Sequence, residues 1–441
     1  MSKTDTPVFV SHTDTMSPSI KSGEAMGKRK TIVMKFGGTS VGTIERIRVV
    51  AERVKAEVER GHRVAVVVSA MSGVTNRMVG YCAELDTMAD PREYDAVVAS
   101  GEQVTSGLVA IALQKIGVPA RSFQGWQIPL KTDEAHGKAS IEGVDGAALE
   151  HSLSENIVPV IAGFQGIGPD HRIATLGRGG SDTSAVAVAA AIRADRCDIY
   201  TDVDGIYTTD PRIVQRAKRL DRITYEEMLE LASVGAKVLQ TRSVGLAMRE
   251  NVRVRVLSSF AETDDESGSL VVNEDELMEK ELVAGIAYSR DEAKISVRRI
   301  PDRPGIAAAI FGPLAAANIN VDMIVQSIGA DSLNNMTFTV GLSDEEAARA
   351  VLEQQRSEIE WGEIQASRNV TKISVVGVGM RSNAGLAATM FRTLAERGIN
   401  VQVISTSEIK ISVLIDAEYT ELAMRALHTA YGLDKKEEPK T

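Results

Sequence analysis

The stretch "TIVMKFGGTSVG", residues 31–42, predicts both the type of fold and the kind of ligand. An apolar run that favours a β-strand reaches Lys35 and then breaks into Gly37, Gly38 and Thr39. The backbone N–H groups of such a turn, the start of a following helix and a lysine ammonium together suit a phosphate. From this stretch alone a plain glycine turn stays as the alternative, because glycine adopts backbone angles that other residues avoid. The lysine precedes the glycines, so the stretch differs from the Walker motif.

Composition limits the class of protein. The chain has 441 residues, which favours two or three domains, and it is 44% apolar and 25% charged, as globular proteins commonly are. The formal net charge of −10 argues against nucleic acid or an anionic membrane as the partner, and no segment after residue 29 is expected to approach a membrane-spanning run. Cys82 and Cys197 lack CxxC spacing. We therefore expect neither disulfides nor a zinc site, and a cytoplasmic location.

Residues 30–262 are predicted to form an α/β domain. Short apolar runs alternate there with longer helical segments, which is typical of a mostly parallel open sheet sandwiched by helices. Residues 1–29 are rich in Ser, Thr and Lys and lack the apolar core of a signal peptide, so we expect a disordered leader. An acidic linker is expected over 263–280.

The C-terminal part contains an internal repeat. Both copies begin with a strand ("KISVRRI" and "KISVVGV") and continue through a glycine loop, an amphipathic helix, two strands and a second helix. This is the order of a ferredoxin-like βαββαβ unit. We predict one unit at 281–367, a second at 368–435 and a tail at 436–441. The second copy lacks a last strand, so we expect 281–289 to pair into it and to interleave the two units.

A second glycine turn, "TLGRGGSDTSA" at 175–185, runs directly into a helical segment. Arg178 has a planar fork of donors that suits a carboxylate or a phosphate. Asp182 could orient Lys35 or hold a metal ion, and a helix-capping carboxylate is the alternative. Two such turns in one α/β domain favour an anion-binding crevice over packing alone.

A long polar loop, "YTDVDGIYTTDPR" at 200–212, follows another buried strand. A surface turn stabilised by Asp and Gly is one interpretation. The other is a nucleotide-binding loop with Tyr207 near the base and Arg212 near the phosphates. Lys237, in "LASVGAKVLQ", is a second candidate for a phosphate-binding cation, although a lone lysine on a helix is usually only solvated.

Together these motifs resemble a known family. "KFGGTS", "SGEQ", "TLGRGGSDTSA", "YTDVDGIYTTDPR" and "EEMLELASVGAKVL" are similar to those of the ATP-dependent aspartate kinases of the amino-acid kinase superfamily. The resemblance covers about 30–435, and the C-terminal repeats resemble tandem ACT domains. It implies phosphorylation of the β-carboxylate of L-aspartate to 4-phospho-L-aspartate, with ATP and Mg²⁺. That reaction leads to lysine, threonine, methionine and, in bacteria, diaminopimelate.

The resemblance also implies roles for individual residues. Glu102 should accept the substrate ammonium, and Arg178 should bind its α-carboxylate. The residues expected to contact ATP are Lys35, Gly37, Gly38, Thr39, Ser69, Thr201, Asp202, Tyr207, Arg212 and Lys237. The residues expected on the substrate side are Thr75, Glu102, Arg178, Gly179, Gly180 and Ser181. The residues expected to be catalytic are Lys35, Asp182 and Lys237. No metal ligand is assigned.

The chemistry of the acceptor explains what the sequence does not contain. A carboxylate nucleophile is ionised at neutral pH and needs no general base, so catalysis reduces to positioning and charge neutralisation. The six histidines show no catalytic spacing and are expected to be structural.

The repeats are candidates for an amino-acid sensor. In each unit a strand leads through a glycine loop to a helix N-terminus, which can bind a carboxylate. The candidate effector residues are Asp302, Gly305, Asn320, Gln326, Asn383 and Asn400. The resemblance implies lysine, threonine or both as effectors, and a homodimer or larger assembly through the ACT units. Modules that only dimerise are the alternative.

Two other functions stay open from the sequence. One is another kinase of the same superfamily, acting on acetylglutamate, glutamate or UMP. The other is a catalytically inactive regulator that binds amino acids. The tandem repeats and the Glu102/Arg178 pair argue against the first, and the presence of Lys35, Asp182 and Lys237 argues against the second.

Overall fold

The computed structural model describes residues 29–234, 238–262, 267–276, 282–328, 333–380 and 383–435. Lys237, residues 1–28 of the expected leader, residues 263–266 and 277–280 of the expected linker, and the tail at 436–441 lie outside these ranges.

The N-terminal domain alternates strands and helices, as predicted. Its elements in chain order are β1 (Thr31–Phe36), α1 (Ile44–Glu59), β2 (Arg63–Val68), α2 (Val74–Leu85), α3 (Pro91–Val98), α4 (Ser100–Lys115), β3 (Ala120–Phe123), β4 (Leu130–Thr132), β5 (Ile141–Val144), α5 (Ala147–Ser154), β6 (Val158–Ala162), β7 (Gln165–Ile167), β8 (Ile173–Thr175), α6 (Gly180–Ala191), β9 (Arg196–Thr201), β10 (Ile206–Tyr207), β11 (Arg219–Leu220), β12 (Arg222–Thr224), α7 (Tyr225–Ser233), α8 (Thr241–Arg249), β13 (Val254–Ser258) and β14 (Ser269–Val272).

The main sheet of this domain has the strand order β12-β14-β13-β9-β1-β2-β6-β3. All its pairs are parallel except β13 with β14, so the predicted mostly parallel sheet is confirmed. β1 is buried along its whole length, and successive side chains enter different cores: Val33 one, Met34 the other. Helices therefore cover both faces of the sheet. Because the carboxyl ends of parallel strands share one edge, the segments after β1, β2 and β9 meet there.

A smaller sheet of order β5-β4-β7-β8 lies beside the main one. The loop of residues 133–140 joins β4 to β5, and β8 ends at Thr175, directly before the second glycine turn. The small sheet therefore supports one wall of the crevice at the end of the main sheet.

By length and composition alone, the segment Pro91–Lys115 is apolar enough to cross a membrane, so the expectation that no segment approaches a membrane-spanning run was wrong. Half of the most apolar part of this segment is buried inside the protein, and the segment is divided into α3 and α4 at Ala99. It packs against α1, β3 and β6 as a core element of the domain.

The C-terminal part forms two small α+β units. Their elements in chain order are β15 (Gly285–Ser289), β16 (Ala293–Pro301), α9 (Ile306–Ala316), β17 (Val321–Ile328), β18 (Leu333–Val340), α10 (Glu345–Gln354), α11 (Arg356–Ile359), β19 (Glu363–Ser367), β20 (Val370–Val376), α12 (Ala384–Glu396), β21 (Val401–Thr406), β22 (Lys410–Asp416) and α13 (Thr420–Ala430).

Each unit has its own four-stranded sheet. The first has the order β17-β18-β16-β19, and the second has the order β15-β20-β22-β21. β15 precedes the whole first unit in the chain but pairs antiparallel with β20 of the second, which is the interleaving expected from the sequence. The domain limits themselves stay predictions. Edge strands β17 and β21 contact each other, and Lys372 of the second unit forms ion pairs with Glu292 (2.5 Å) and with Asp322 of the first (2.8 Å).

The second unit is attached to the N-terminal domain. Val214, from the loop between β10 and β11, is part of the apolar core of the second unit. Thr208 Oγ1 lies 2.9 Å from His428 Nε2, and Lys410 forms an ion pair with Glu230 at 2.7 Å. Among the described residues, no hydrogen bond or ion pair joins 293–367 to the N-terminal domain.

Candidate active site

A cleft of about 460 Å³ opens at the carboxyl edge of the main sheet. The residues that line it are Lys35, Gly37, Gly38, Thr39, Ser69, Ala70, Met71, Ser72, Gly73, Thr75, Asn76, Glu102, Phe164, Gly177, Arg178, Gly179, Gly180, Ser181, Asp182, Thr201 and Asp202. Both glycine turns of the sequence therefore face one cavity. We call residues 35–39 the lysine side, and Glu102 with residues 177–180 the arginine side.

On the lysine side, the backbone passes very close to a neighbouring segment. A Cβ added to Gly38 would lie 3.0 Å from the carbonyl oxygen of Ala70. The N–H groups of Ser40 and Val41 bond to the carbonyl of Gly37, so the turn closes on itself. The expectation that this glycine pair directly opens a helix was wrong, because α1 begins only at Ile44.

Lys35 and Asp182 form the central ion pair. Lys35 Nζ lies 2.5 Å from Asp182 Oδ1, and both residues are buried. Asp182 lies in the first turn of α6, where the helix dipole favours a carboxylate. Of the three roles considered for this residue, the structure shows the contact to Lys35, and the capping position of α6 is taken by Gly179.

The second glycine turn runs directly into α6, as predicted. Gly177 and Gly179 both have φ = 73°, a left-handed conformation that favours glycine. A Cβ on Gly179 would lie 1.9 Å from Gln240 Cγ, so the turn is also closely packed. The side chain of Arg178 is exposed, and within the described ranges its guanidinium has no ion pair or hydrogen bond.

Glu102 is a buried acid with an unsatisfied oxygen. It is only 3% exposed, and its Oε1 accepts a hydrogen bond of 3.0 Å from the Ala70 N–H. Its Oε2 is buried and has no hydrogen-bond partner among the described residues. Burial raises the pKa of Glu102 to about 7, although the bond from Ala70 acts in the opposite direction. A cationic ligand in the cleft would remove this desolvation penalty.

The remaining predicted residues divide into two groups. Ser69, Thr75, Ser181, Thr201 and Asp202 line the cleft, and Thr201 Oγ1 donates to Asp202 Oδ1 at 3.2 Å.

Tyr207 and Arg212 do not line the cleft. The Tyr207 hydroxyl bonds to Asp204 at 3.1 Å, and Arg212, whose side chain is 86% exposed, pairs with Asp210 at 2.8 Å. Both belong to the loop region that packs on the second C-terminal unit. Their nucleotide roles stay predictions, as does that of Lys237, which lies outside the described residues.

Sequence reasoning missed part of the lining. The missed residues are Ala70, Met71, Ser72, Gly73, Asn76 and Phe164. Most belong to the turn between β2 and α2, where Gly73 has φ = 79°. A glycine and two hydroxyl residues directly after a buried strand were the available signal, as they were after β1.

Few groups in the cleft could hold a metal ion. Among the described residues, no cluster of three or more His, Cys, Asp or Glu side chains is arranged for a metal. Asp182 and Asp202 are carboxylates of the lining besides Glu102. One or two carboxylates plus phosphate oxygens is the donor set that Mg²⁺ commonly takes, so the residues fit a nucleotide-bound Mg²⁺.

The candidate effector residues lie at corresponding places in the two C-terminal units. Gly305 has φ = 89° and caps α9, and Asn383 caps α12 without a side-chain capping bond. Asp302 accepts a hydrogen bond of 2.9 Å from Asn334 Nδ2, while the buried Oδ1 of Asn334 has no partner in the described structure. Asn320, Gln326 and Asn400 are exposed at or directly before β17 and β21. Their roles stay predictions.

Comparison with known sequences covers nearly the whole described chain. A profile described as the amino acid kinase family matches residues 30–258, and two profiles described as ACT domains match residues 295–360 and 373–431. An aspartate kinase of Pseudomonas putida is 53% identical over 404 residues, which are 91% of this chain and 98% of that protein.

Two crystal structures of aspartokinase III from E. coli have a similar fold. One, in complex with aspartate and ADP in the R-state, has a TM-score of 0.76 and 26% identity, and the match covers 91% of this chain and 99% of that one. The other, in complex with lysine and aspartate in the T-state, has a TM-score of 0.72 and 27% identity, with the same coverage.

Proposed function

This chain belongs to the aspartokinases, with the aspartate kinase activity of that family, and we propose that its cleft transfers the γ-phosphoryl group of ATP to the β-carboxylate of L-aspartate. The E. coli aspartokinase III that resembles it binds aspartate and ADP, which supports these ligands here. The product is 4-phospho-L-aspartate.

Aspartate binds through its two α-groups on the arginine side. Glu102 Oε2 takes the ammonium, and the Arg178 guanidinium takes the α-carboxylate. The single observation that carries this assignment is the buried, unpartnered oxygen of Glu102 in the same cleft as an arginine without an internal partner. With both α-groups held there, the β-carboxylate extends toward Lys35.

Phosphoryl transfer then depends on position and charge. The attacking carboxylate needs no general base, because it is ionised at neutral pH. Lys35 stabilises negative charge on the transferred group, and Asp182 keeps the Lys35 ammonium in place through an ion pair of 2.5 Å. Gly37, Gly38 and Thr39 bring backbone and hydroxyl donors close to the phosphates.

Mg²⁺ is the proposed metal, held by ATP phosphate oxygens with Asp182 or Asp202. When bound, it would neutralise part of the phosphate charge. Lys237, Tyr207 and Arg212 are proposed on resemblance alone as further nucleotide-binding residues.

The test is an acceptor panel with ATP and Mg²⁺. ADP release is measured with aspartate, glutamate, acetylglutamate and UMP, and hydroxylamine traps the acyl phosphate as a hydroxamate. We expect aspartate to give both ADP and hydroxamate, and the Lys35→Met variant to give neither at a comparable rate. Faster turnover of another acceptor would establish a different kinase, and no product with aspartate would establish an inactive regulator.

We also propose that the C-terminal units bind lysine, threonine or both and inhibit the kinase. The E. coli aspartokinase III with a similar fold was crystallised with lysine, and the first helix of each unit starts beside candidate effector residues, with Gly305 as the cap of α9 and Asn383 as the cap of α12. An effector can act only by binding one arrangement of the domains more tightly than another. The contacts of the second unit to Thr208, Val214 and Glu230 provide a physical connection for such a change.

Initial rates with lysine and threonine, separately and together, test this regulation. Lys410→Met removes the ion pair with Glu230, and we expect weaker inhibition at unchanged basal turnover. Lys55→Met, which removes only a surface pair with Glu59, is the matched control. Rates unaffected by either amino acid would contradict the proposal.

The biological setting is proposed from the family. The reaction would begin the cytoplasmic synthesis of lysine through diaminopimelate, of threonine and of methionine, in a homodimer or larger assembly formed through the ACT units.

A further inference from the structure

A fully buried carboxylate that does not line the cleft lies behind its arginine side. Asp95 of α3 is 0% exposed. Its Oδ2 accepts from the N–H groups of Gly137 (3.0 Å) and Thr175 (2.9 Å) and lies 2.9 Å from His136 Nδ1, while its Oδ1 accepts from Thr175 Oγ1 at 2.6 Å. Because a carboxylate only accepts, His136 Nδ1 carries the proton in this contact.

These bonds join three separate segments. Asp95 belongs to α3, Gly137 to the loop between β4 and β5, and Thr175 to the end of β8, three residues before Arg178. Two further contacts attach the same loop to the same turn. The Ala139 N–H bonds to the Thr175 carbonyl at 2.9 Å, and a Cβ on Gly177 would lie 3.0 Å from the Gly137 carbonyl oxygen.

Arg242 of α8 reinforces this junction from another direction. Its guanidinium donates to the carbonyls of Leu176 (2.6 Å) and Ala139 (2.7 Å). The backbone before Arg178 is therefore held by a buried carboxylate and by a guanidinium, although Arg178 itself has no partner among the described residues.

We propose that Asp95 is a positioning residue for aspartate binding: it fixes the turn that carries Arg178 relative to Glu102. The helical segment that carries Asp95 continues into α4, whose first turn carries Glu102. The hydrogen bonds of Asp95 thereby connect the turn that carries Arg178 to the same helical segment that carries Glu102, on the two sides of Ala99. A group held in place by packing and buried hydrogen bonds binds its ligand without first being ordered. This inference rests on the proposed role of Arg178.

The test is steady-state kinetics on a short series of variants of the full chain. We expect Asp95→Ala to raise the KM for aspartate about tenfold while the KM for ATP stays within about twofold. Asp95→Asn should restore the aspartate KM to within about threefold, because its amide oxygen can accept the three N–H bonds while its NH₂ group donates to Thr175 Oγ1. An Asn variant as impaired as the Ala variant would refute the hydrogen-bonding role.

The double variant Asp95→Ala with Arg178→Ala separates positioning from general stability. If Asp95 acts through Arg178, then adding Asp95→Ala to the Arg178→Ala variant should change the aspartate KM by less than about twofold. If Asp95→Ala raises the aspartate KM as much in the Arg178→Ala variant as it does in the otherwise unmodified protein, the inference is overturned. An equal rise of both KM values in the single variant would overturn it too. Glu57→Ala, which removes another buried acid paired with Arg60, is the control for stability loss without a change in the aspartate KM.

Two safeguards keep the test decisive. If Asp95→Ala does not fold, Thr175→Val, which loses only the Oγ1 bond, should still raise the aspartate KM about threefold, and no change would refute the inference. If Arg178→Ala alone leaves the aspartate KM unchanged, the proposed role of Arg178 fails, independently of the result for Asp95.

Discussion

The lysine side and the arginine side of the cleft differ in whether their charged groups have partners within the protein. Lys35 already has an internal partner, since Asp182 lies 2.5 Å away. Arg178 and the Oε2 of Glu102 have none among the described residues, although Glu102 is almost fully buried. A charge with an internal partner is fixed before any ligand arrives. Charges without one gain most from a ligand that supplies both missing partners. The comparison therefore supports the proposal that the lysine side serves phosphoryl transfer and that the arginine side selects the acceptor.

The largest effect should come from the lysine side. Lys35→Met removes the cation proposed to stabilise the transferred group and leaves Asp182 buried without its partner, so we expect kcat to fall about 10²–10³-fold. Steady-state kinetics at saturating aspartate and ATP measure this. Lys55→Met should be unchanged, because that side chain forms only a surface pair. A kcat within tenfold of the unmodified value would remove Lys35 from the chemistry.

The next effect should be confined to the aspartate KM. Arg178→Ala removes the proposed partner of the α-carboxylate, and we expect the KM for aspartate to rise about 30-fold, or about 2 kcal/mol. The KM for ATP should change far less. Arg249→Ala, an exposed arginine paired with Glu250, is the control. Equal changes in both KM values would contradict the division into two sides.

The pKa of Glu102 predicts a pH dependence. In the proposed site the ammonium of aspartate binds the ionised carboxylate of Glu102, so kcat/KM for aspartate should rise about tenfold between pH 6 and pH 8, with a midpoint near the pKa of about 7. The Glu102→Gln variant should be less active and should lack this limb. If the variant shows the same rise of kcat/KM between pH 6 and pH 8, then a group other than Glu102 is responsible for the pH dependence.

The same pKa predicts a change in stability. Glu102 stays protonated up to about pH 7 in the folded state but only up to about pH 4.5 in the unfolded state. Its contribution to the free energy of unfolding therefore becomes less favourable as the pH rises between these values, and it is constant above them. The thermal midpoint of Glu102→Gln minus that of the unmodified protein should therefore be larger at pH 8 than at pH 5, when both are measured without substrate. An equal difference at both values would contradict the assigned pKa.

The smallest expected effect compares the two glycine turns. Gly179→Ala places a side chain at φ = 73° and against Gln240, so we expect a loss of about 1–3 kcal/mol of stability. A Cβ on Gly37 of the lysine side would make only ordinary contacts, the nearest at 3.5 Å to Lys35 Nζ, so Gly37→Ala should fold with a smaller loss. Chemical denaturation of both variants measures the difference. A larger loss for Gly37→Ala would reverse the comparison.

Much of the fold was predictable because it depends on local patterns. Buried parallel strands are nearly continuous apolar runs, and β1, β2, β6, β9 and β13 appear where such runs occur. The pairing of β15 with the second unit was predictable because the repeat lacked a strand. Of the candidate site, Lys35, Arg178 and Asp182 were predictable as polar residues in glycine-rich turns, whereas the role of Glu102 was predicted from the family resemblance.

Other features depend on distant segments and had no local signal. Asp95 lies in an ordinary amphipathic helix, and only the fold brings Gly137 and Thr175 to it. Arg212 follows a nucleotide-loop motif, yet its loop packs on the second C-terminal unit, because Val214 enters that unit's apolar core.

The amino-acid sequence by itself determined the strands, the glycine turns, the repeat and the identity of the charged groups, because each follows from the properties of neighbouring residues. The tertiary structure decided which of those groups have partners. Lys35 is paired, Arg178 is not, and Glu102 keeps one oxygen without a donor. Partnership depends on distances across the fold, and in a buried cleft it sets both the pKa of a group and the ligand that the group can bind.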